Sequence, residues 1–280
     1  MIRSAIIFVA LTAAPVRAQD ADSSDHWDAR ITAAAGQVAL HPVDGSPAVE
    51  AEADMPLEQG DRVVTSSGST AEIALDGDSL ILLRENTDFT LENTRKSESI
   101  FSLALGSLLA KIQKLGAGRL SVRSPTAVAA VRGTEFGVDV EAGQSSVGVF
   151  EEGSVEVRGS AGGSEVLSAN QETSVSRGQA PLKAAPLSRF ASRRAAMRAH
   201  VGRLLAVRRN WKALTPAQRR AARVRALKRS GRRLQNRKAR GRVGQNSPRR
   251  RQPQRRPPER RKPRRKLPGK NAPKPKENNP

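Results

Sequence analysis

The chain has 280 residues, no cysteine and a formal net charge of +22. The lack of cysteine excludes disulfides, thiolate metal sites and a lipid-modified N-terminal cysteine. The charge is unevenly divided, because residues 19–187 hold 13 Lys and Arg against 25 Asp and Glu, whereas residues 188–280 hold 34 against 2. The sequence therefore predicts an acidic body that is large enough for one domain, followed by a basic tail.

Residues 1–18 have the pattern of a secretory signal peptide. An early cation, Arg3, precedes an apolar run at 5–14, and Pro15 is followed by a small-x-Ala sequence that ends at Ala18. The apolar run has about half of the roughly 20 residues that span a bilayer, which argues against an uncleaved anchor. We therefore expect cleavage after Ala18 and a periplasmic or secreted protein without a transmembrane segment.

Residues 19–35 are expected to form an N-terminal linker with a helix near 21–35, and residues 36–180 a β domain. Asp76-Gly77 is the strongest hairpin signal, because both residues tolerate positive φ. Short runs of β-forming residues recur along the body, separated mostly by Gly, Asp, Asn or Ser. They predict strands at 62–65, 70–75, 79–83, 88–91, 119–122, 135–140, 145–150 and 154–157. The predicted fold class is all-β, as a roll, β-helix or sandwich.

Three segments carry the most specific pattern of the body: SPTA at 124–127, VRGTEFGV at 131–138 and EGSVEV at 152–157. They resemble the FecR-domain family, which is named for a periplasmic regulator of ferric citrate uptake. Upstream, LEQGDRVVT at 57–65 resembles the family's entry segment, and the resemblance covers about 36–175. It implies a FecR-like β domain that mediates or transmits contacts outside the cytoplasm. Because the chain opens with a signal peptide, we do not expect it to control a sigma factor by itself.

The residues of this motif are expected to be structural. Gly133 lets the backbone bend or pass close to a neighbouring strand, and Thr134 returns the chain to β geometry. Pro125 suits a strand start or an edge, because it has no N–H donor. Arg132 can pair with Glu135 near the bend, and the alternative is that Arg132 contacts an anion or another ligand. The expected structural set is Pro125, Arg132, Gly133, Thr134, Phe136 and Gly153.

Patterns typical of enzymes are missing from the sequence. Its three histidines, His26, His41 and His200, form no metal-ligand or triad pattern, so each is expected in a loop or on the surface. Ser124 and Ser154 lack the context of a nucleophile elbow. We expect no catalytic, cofactor-binding or metal site, and no cofactor.

The tail is predicted to have two parts, a basic helical segment at 188–230 and a disordered segment at 231–280. The second part is dominated by Pro, Arg, Lys, Asn and Gln and has almost no apolar residue to bury. Composition and capping signals divide the first part into predicted helices at 188–212 and 216–230, with a capping box of Thr215 and Gln218 and a stop at Gly231.

Clusters of cations in the disordered part are candidate contacts to a polyanion. They are Arg249, Arg250, Arg251, Arg260, Arg261, Lys262, Arg264, Arg265 and Lys266. For an exported chain the expected partner is an anionic envelope component, which can be lipopolysaccharide, phospholipid or a cell-wall polymer. Nucleic acid is a less favoured partner.

The sequence thus predicts an exported, non-enzymatic FecR-like protein that mediates envelope interactions and is tethered by its basic tail. One alternative is an envelope signalling component whose β domain binds a receptor or a small ligand, and an unknown protein partner is also left open. A second alternative is an extracytoplasmic nucleic-acid binder. A third is a solubilising tail that folds back on the acidic body.

Overall fold

The computed structural model describes residues 25–113 and 118–245. The described chain forms strands and helices in the order β1 (Ala29–Ala35), β2 (Val38–His41), β3 (Val49–Glu50), β4 (Met55–Pro56), β5 (Arg62–Thr65), β6 (Thr70–Leu75), β7 (Ser79–Leu83), β8 (Asp88–Thr94), β9 (Glu98–Lys111), β10 (Arg119–Arg123), β11 (Ala127–Val131), β12 (Glu135–Glu141), β13 (Gln144–Val149), β14 (Val155–Gly159), β15 (Ser164–Leu167), β16 (Gln171–Ser176), β17 (Ala185–Pro186), α1 (Arg194–Asn210) and α2 (Pro216–Gln245). A 3₁₀ turn at Ala191–Arg193 leads into α1.

The strands make two sheets that share β9. Sheet 1 has the order β4-β1-β6-β7-β9-β12-β13-β16-β17, and sheet 2 the order β3-β2-β5-β8-β9-β10-β11-β14-β15. The first part of β9 pairs in sheet 2, and from Gly106 onward it pairs in sheet 1. Gly106 has φ +93°, and a Cβ there would lie 2.5 Å from the Asn86 carbonyl oxygen. Glycine therefore permits the strand to cross between the sheets.

One hydrophobic core lies between the two sheets. Ile31, Ile73 and Val138 reach it from sheet 1, and Phe89 and Phe101 reach it from sheet 2. The two phenylalanine rings meet edge to face with their centroids 5.6 Å apart. Because side chains of both sheets share this core, the sheets pack face to face, and the all-β prediction is confirmed.

The two sheets differ in how their outer faces are covered. On β11, buried and half-buried residues alternate from Ala127 to Val131, as in a sheet with one open face. On β12 every residue from Glu135 to Val140 is buried, and on β13 every residue from Ser145 to Val149. Such continuous burial requires a second layer over sheet 1. The layer is supplied by residues 187–233, named here the basic strap, which holds 16 Lys and Arg and no Asp or Glu. Its first part, up to Trp211, lies over sheet 1, whereas α2 contacts β3, β4 and the segment at 57–61.

The predicted helix near 21–35 is wrong for the part that the structure describes. Residues Ala29–Ala35 form β1, which pairs antiparallel with β6 and belongs to the β domain rather than to a linker. Alanine favours helices, but Ala29 and Ile31 are fully buried between the sheets, and tertiary packing overrides so weak a preference. The Asp76-Gly77 hairpin is confirmed, with φ +53° and +76°.

The helical segment begins and ends differently from the prediction. The first helix starts at Arg194, after the 3₁₀ turn. The capping box at Thr215 and Gln218 is confirmed by reciprocal hydrogen bonds of 3.0 and 3.2 Å. The predicted stop at Gly231 is wrong, since α2 continues to Gln245, and one glycine costs a helix only about 1 kcal/mol.

The expected boundary near Leu187 does not divide the packed structure. Described residues up to Ala239 form one compact unit that contains both the acidic body and the strap. The predicted disordered segment therefore starts inside a helix, and its remainder, 246–280, lies outside the described residues.

Candidate interaction site beneath the basic strap

Phe190 anchors the strap in a socket on the outer face of sheet 1. The floor of the socket is the cross-strand pair of Gly137 on β12 and Gly148 on β13. A Cβ atom at these positions would lie 2.7 and 2.6 Å from the Phe190 ring, so glycine alone leaves it room. Phe150 packs edge-on against this fully buried ring, with the centroids 6.2 Å apart. The start of the strap is thus fixed by an aromatic side chain.

Glu172 on β16 holds the backbone that leads into the socket. Its carboxylate accepts hydrogen bonds from the Ser188 hydroxyl at 2.5 Å and from the backbone N–H groups of Arg189 and Phe190 at 3.1 and 3.2 Å. Burial alone raises the pKa of Glu172, but these hydrogen bonds outweigh it, and its pKa lies below the ordinary value. The carboxylate therefore fixes the backbone immediately before the 3₁₀ turn.

Asp139 on β12 is a carboxylate that is only 3% exposed and faces the strap. Arg193 donates a hydrogen bond to its Oδ1 and a second one, of 2.8 Å, to the Ser107 hydroxyl. Arg189 lies 4.0 Å from the other oxygen of Asp139 and forms an ion pair of 2.8 Å with Glu141. Because a buried carboxylate without a cation is costly, this strand and the strap depend on each other.

Glu72 on β6 contacts α1 through the buried side chain of His200. His200 Nδ1 lies 3.4 Å from Glu72 Oε2, Arg203 Nε lies 3.3 Å from the same oxygen, and the Thr32 hydroxyl donates to Oε1 at 2.8 Å. Burial alone raises the pKa of Glu72, but the hydrogen bonds from His200 and Thr32 and the charge of Arg203 outweigh it, so its pKa is lowered. The prediction of a loop or surface histidine is wrong for His200, which is 3% exposed.

Asp61 lies in the FecR-like entry segment at 57–65 and binds Arg223 of α2. This carboxylate is fully buried and accepts hydrogen bonds from Arg223 at 2.5 and 2.8 Å. It also accepts the backbone N–H groups of Val43 and Glu58, at 3.1 and 2.8 Å. Burial alone lowers the pKa of Arg223, but the hydrogen bonds and charge of Asp61 outweigh it and raise that pKa. Two parallel bonds between a guanidinium and a carboxylate fix the orientation of α2 as well as its position.

The loop between α1 and α2 is held by an aromatic residue. Trp211 covers the hairpin glycine Gly77, where a Cβ would lie 2.5 Å from the indole ring. The Arg30 guanidinium stacks 4.2 Å above the same ring. One turn into α2, Arg219 donates to the Asp28 carboxylate, and burial lowers the pKa of this guanidinium despite that charge.

Three residues of the FecR-like motif, Gly133, Thr134 and Gly153, lie close together in the structure. Gly133 has φ +53° in the bend before β12, and the buried Thr134 donates its hydroxyl to the Glu152 carbonyl. Gly153 has φ +90°, and a Cβ there would lie 2.5 Å from Thr134 Cβ. The bend therefore closes against the turn between β13 and β14.

The other motif residues are placed separately. Phe136 is buried in the core between the sheets, and Pro125 is exposed in the turn between β10 and β11. Arg132 is exposed, and Glu135 pairs with Lys111 at 2.9 Å instead of with Arg132. The suggested pair of Arg132 and Glu135 is thus replaced by a cation from β9.

The remaining expectations concern the tail cations, the cleavage point, two histidines, metal binding and a membrane-spanning helix. The tail cations from Arg249 to Lys266 and the cleavage point at Ala18 lie outside the described residues. Of the remaining histidines, His26 Nδ1 lies 2.9 Å from the Thr94 hydroxyl, and His41 lies on β2. Within 25–113 and 118–245, no group of three or more His, Asp or Glu side chains could hold a metal ion. No helix in those ranges is long and apolar enough to cross a membrane.

The structure is thus an all-β domain of two packed sheets. The basic strap, anchored by Phe190, covers the outer face of sheet 1. The sequence model of the FecR family, described as FecR protein, matches residues 61–156. Residues 61–156 of the β domain thus match the FecR family, as the motif indicated.

Solved structures add a distant likeness. Two crystal structures of a proposed anti-sigma factor from Parabacteroides distasonis are each 16% identical to the chain, with a TM-score of 0.41. The match covers 47% of this chain and 62% of that one, so the chain spans less than two thirds of the length of either solved structure. No curated protein matches the sequence.

Proposed function

We propose that this protein is a non-enzymatic regulatory protein of the cell envelope, whose FecR domain makes protein contacts and whose basic residues tether it to an anionic envelope component. The observation that carries the proposal is the FecR domain match at residues 61–156, on the same chain as a strongly basic tail. The envelope component is one with a dense array of negative charge, such as lipopolysaccharide, phospholipid or a cell-wall polymer.

The distribution of charge supports a tether as well as a regulatory domain. Part of the strap's charge is used inside the molecule, since Arg193, Arg219 and Arg223 bind buried or half-buried carboxylates. Residues 246–280 add 14 Lys and Arg against 2 Asp and Glu. This excess is far larger than the domain's remaining carboxylates require, so it is available to an external polyanion.

The accessible side of the FecR domain is the outer face of sheet 2. Sheet 1 is covered by the strap, whereas strands such as β10 and β11 alternate between buried and accessible residues. A receptor or another protein that contacts the domain, as in the signalling alternative, therefore meets sheet 2 or the loops at its ends.

Cell fractionation tests this proposal. We expect the full-length protein to be exported, to sediment with the envelope and to be released by high salt, because charge contacts are screened. A variant that lacks residues 246–280 is expected to shift toward the soluble extracytoplasmic fraction. Retention of that variant equal to full length would remove the tail tether and leave the signalling role. Recovery of the full-length protein in the cytosol would contradict the envelope assignment altogether.

A further inference from the structure

Helix α2 carries arginine on two opposite faces. Arg219, Arg223 and Ser230 follow one another at spacings of four and seven residues and face the β domain, where Arg223 and Ser230 are buried. This spacing keeps the three residues on one side of a helix. The inner face of α2 is therefore held to the β domain largely by polar contacts. Among the α2 residues whose burial is described, Ala226 is the one buried apolar residue, and the half-buried Leu227 packs beside it.

The opposite face of α2 presents a second line of cations. Arg225, Lys228 and Arg232 are exposed and lie three and four residues apart, so they form one stripe. At 1.5 Å per residue the stripe is about 10 Å long. Among described residues, no carboxylate forms an ion pair with any of the three, whereas Arg219 and Arg223 on the inner face are both paired.

A shallow groove extends the stripe sideways. It is lined by the three stripe residues together with Arg229, Arg233 and Asn236. Glu52 holds the two flanking arginines at 2.7 and 3.0 Å. The groove thus gathers five cations around one carboxylate at its edge, an arrangement that favours a ligand with several negative groups at short spacing.

We infer that this outward stripe binds the phosphate headgroups of an anionic lipid surface. The inference rests on the proposed tether and adds to the cations of residues 246–280 a defined site on the folded strap. Nucleic acid fits less well, because the strap has only two aromatic residues for stacking on bases and both are engaged, Phe190 in its socket and Trp211 over Gly77. Val224, 50% exposed beside the stripe, suits shallow contact with acyl chains.

Vesicle flotation with the full-length chain tests the site. The stripe variant R225Q/K228Q/R232Q is compared with the charge-matched tail variant R249Q/R250Q/R251Q on phosphatidylcholine vesicles with and without phosphatidylglycerol. We expect the wild type to bind only the anionic vesicles. We expect the stripe variant to bind them about 100-fold more weakly, and the tail variant less than about 10-fold more weakly. An unchanged circular dichroism melting curve verifies that the stripe variant is folded.

The outcomes separate this inference from the proposed tether. Equal losses for both variants, or a loss confined to the tail variant, would overturn the stripe and leave the tether standing. No binding of the wild type to anionic vesicles would overturn both. A parallel titration with duplex DNA decides the ligand: binding that is as tight as to vesicles and equally sensitive to the stripe variant would replace lipid with nucleic acid.

Discussion

Two glycines decide whether the strap can dock. Gly137 and Gly148 face each other across β12 and β13, and their missing side chains make the space that the Phe190 ring fills. In the interior of a strand, glycine costs stability and is kept where something approaches closely. Here the approaching group is an aromatic ring from a segment about 40 residues further along the chain.

Gly148→Ala is expected to destabilise the protein by about 1–3 kcal/mol, because the new methyl group would overlap the Phe190 ring. Gly202→Ala is the matched control: it lies in α1 with no atom near its Cβ position, and alanine should stabilise that helix by about 0.5–1 kcal/mol. Chemical denaturation measures both. A Gly148→Ala protein as stable as the wild type would mean that Phe190 does not need the socket.

Glu72 makes docking sensitive to acid. Its pKa is lowered in the folded protein, so its contribution to stability is complete above the unfolded value of about 4.5 and is lost as the pH falls through the lower folded value. Glu72→Gln should therefore cost about 1–3 kcal/mol at pH 7, and the cost should shrink below pH 4.5. Denaturation at pH 7, 5 and 3.5 checks this. A cost that stays constant with pH would show that the charge of Glu72 does not matter.

At the scale of elements, the sequence predicts the hairpins better than the long strand. Six predicted strands between 62 and 140 lie within the observed ones, because turn residues separate them. The whole of β9 was missed. Its fourteen residues serve two sheets, and the break at Gly106 changes which side chains face the core, so no single alternation runs through it.

The second layer over sheet 1 left little signal in the sequence. Of three strands of sheet 1, only 79–83 has apolar or small residues at every position, whereas 70–75 and 135–140 contain Glu72, Glu135 and Asp139. The strand at 127–131 belongs to sheet 2 and has a half-buried outer face, yet its sequence is just as continuously apolar. Continuous apolar runs are typical of strands buried on both faces, but here they do not distinguish the covered sheet from the other one.

The cover itself could not be predicted from local pattern. In a sequence, Arg223 and Arg225 look alike, yet one binds the buried Asp61 and the other is exposed. Which arginine is inward depends on the helix phase relative to carboxylates more than 100 residues away in the chain. For the same reason His200 was expected at the surface, since its partner Glu72 comes from β6.

At the scale of the whole molecule, an acidic half of the chain is paired with a basic half. Residues 19–187 have a net charge of −12, and the strap carries 16 cations without an acid. The strap is the part of the basic half that packs on the acidic body in the described structure. Buried ion pairs add little net stability, but loss of one partner costs about 3–5 kcal/mol, so they make the two halves interdependent.

Truncation at two points tests this interdependence. A chain that ends at Gln245 should keep the melting temperature of the full-length protein to within about 2 °C, because the strap stays complete. A chain that ends at Leu187 should fail to fold stably, since Asp61, Glu72 and Asp139 would each lose a cation at about 3–5 kcal/mol, against a typical total of about 5–15. Thermal unfolding by circular dichroism measures both. Equal melting of the shorter chain, with a trypsin-resistant core that ends near Leu187, would contradict a single interlocked unit.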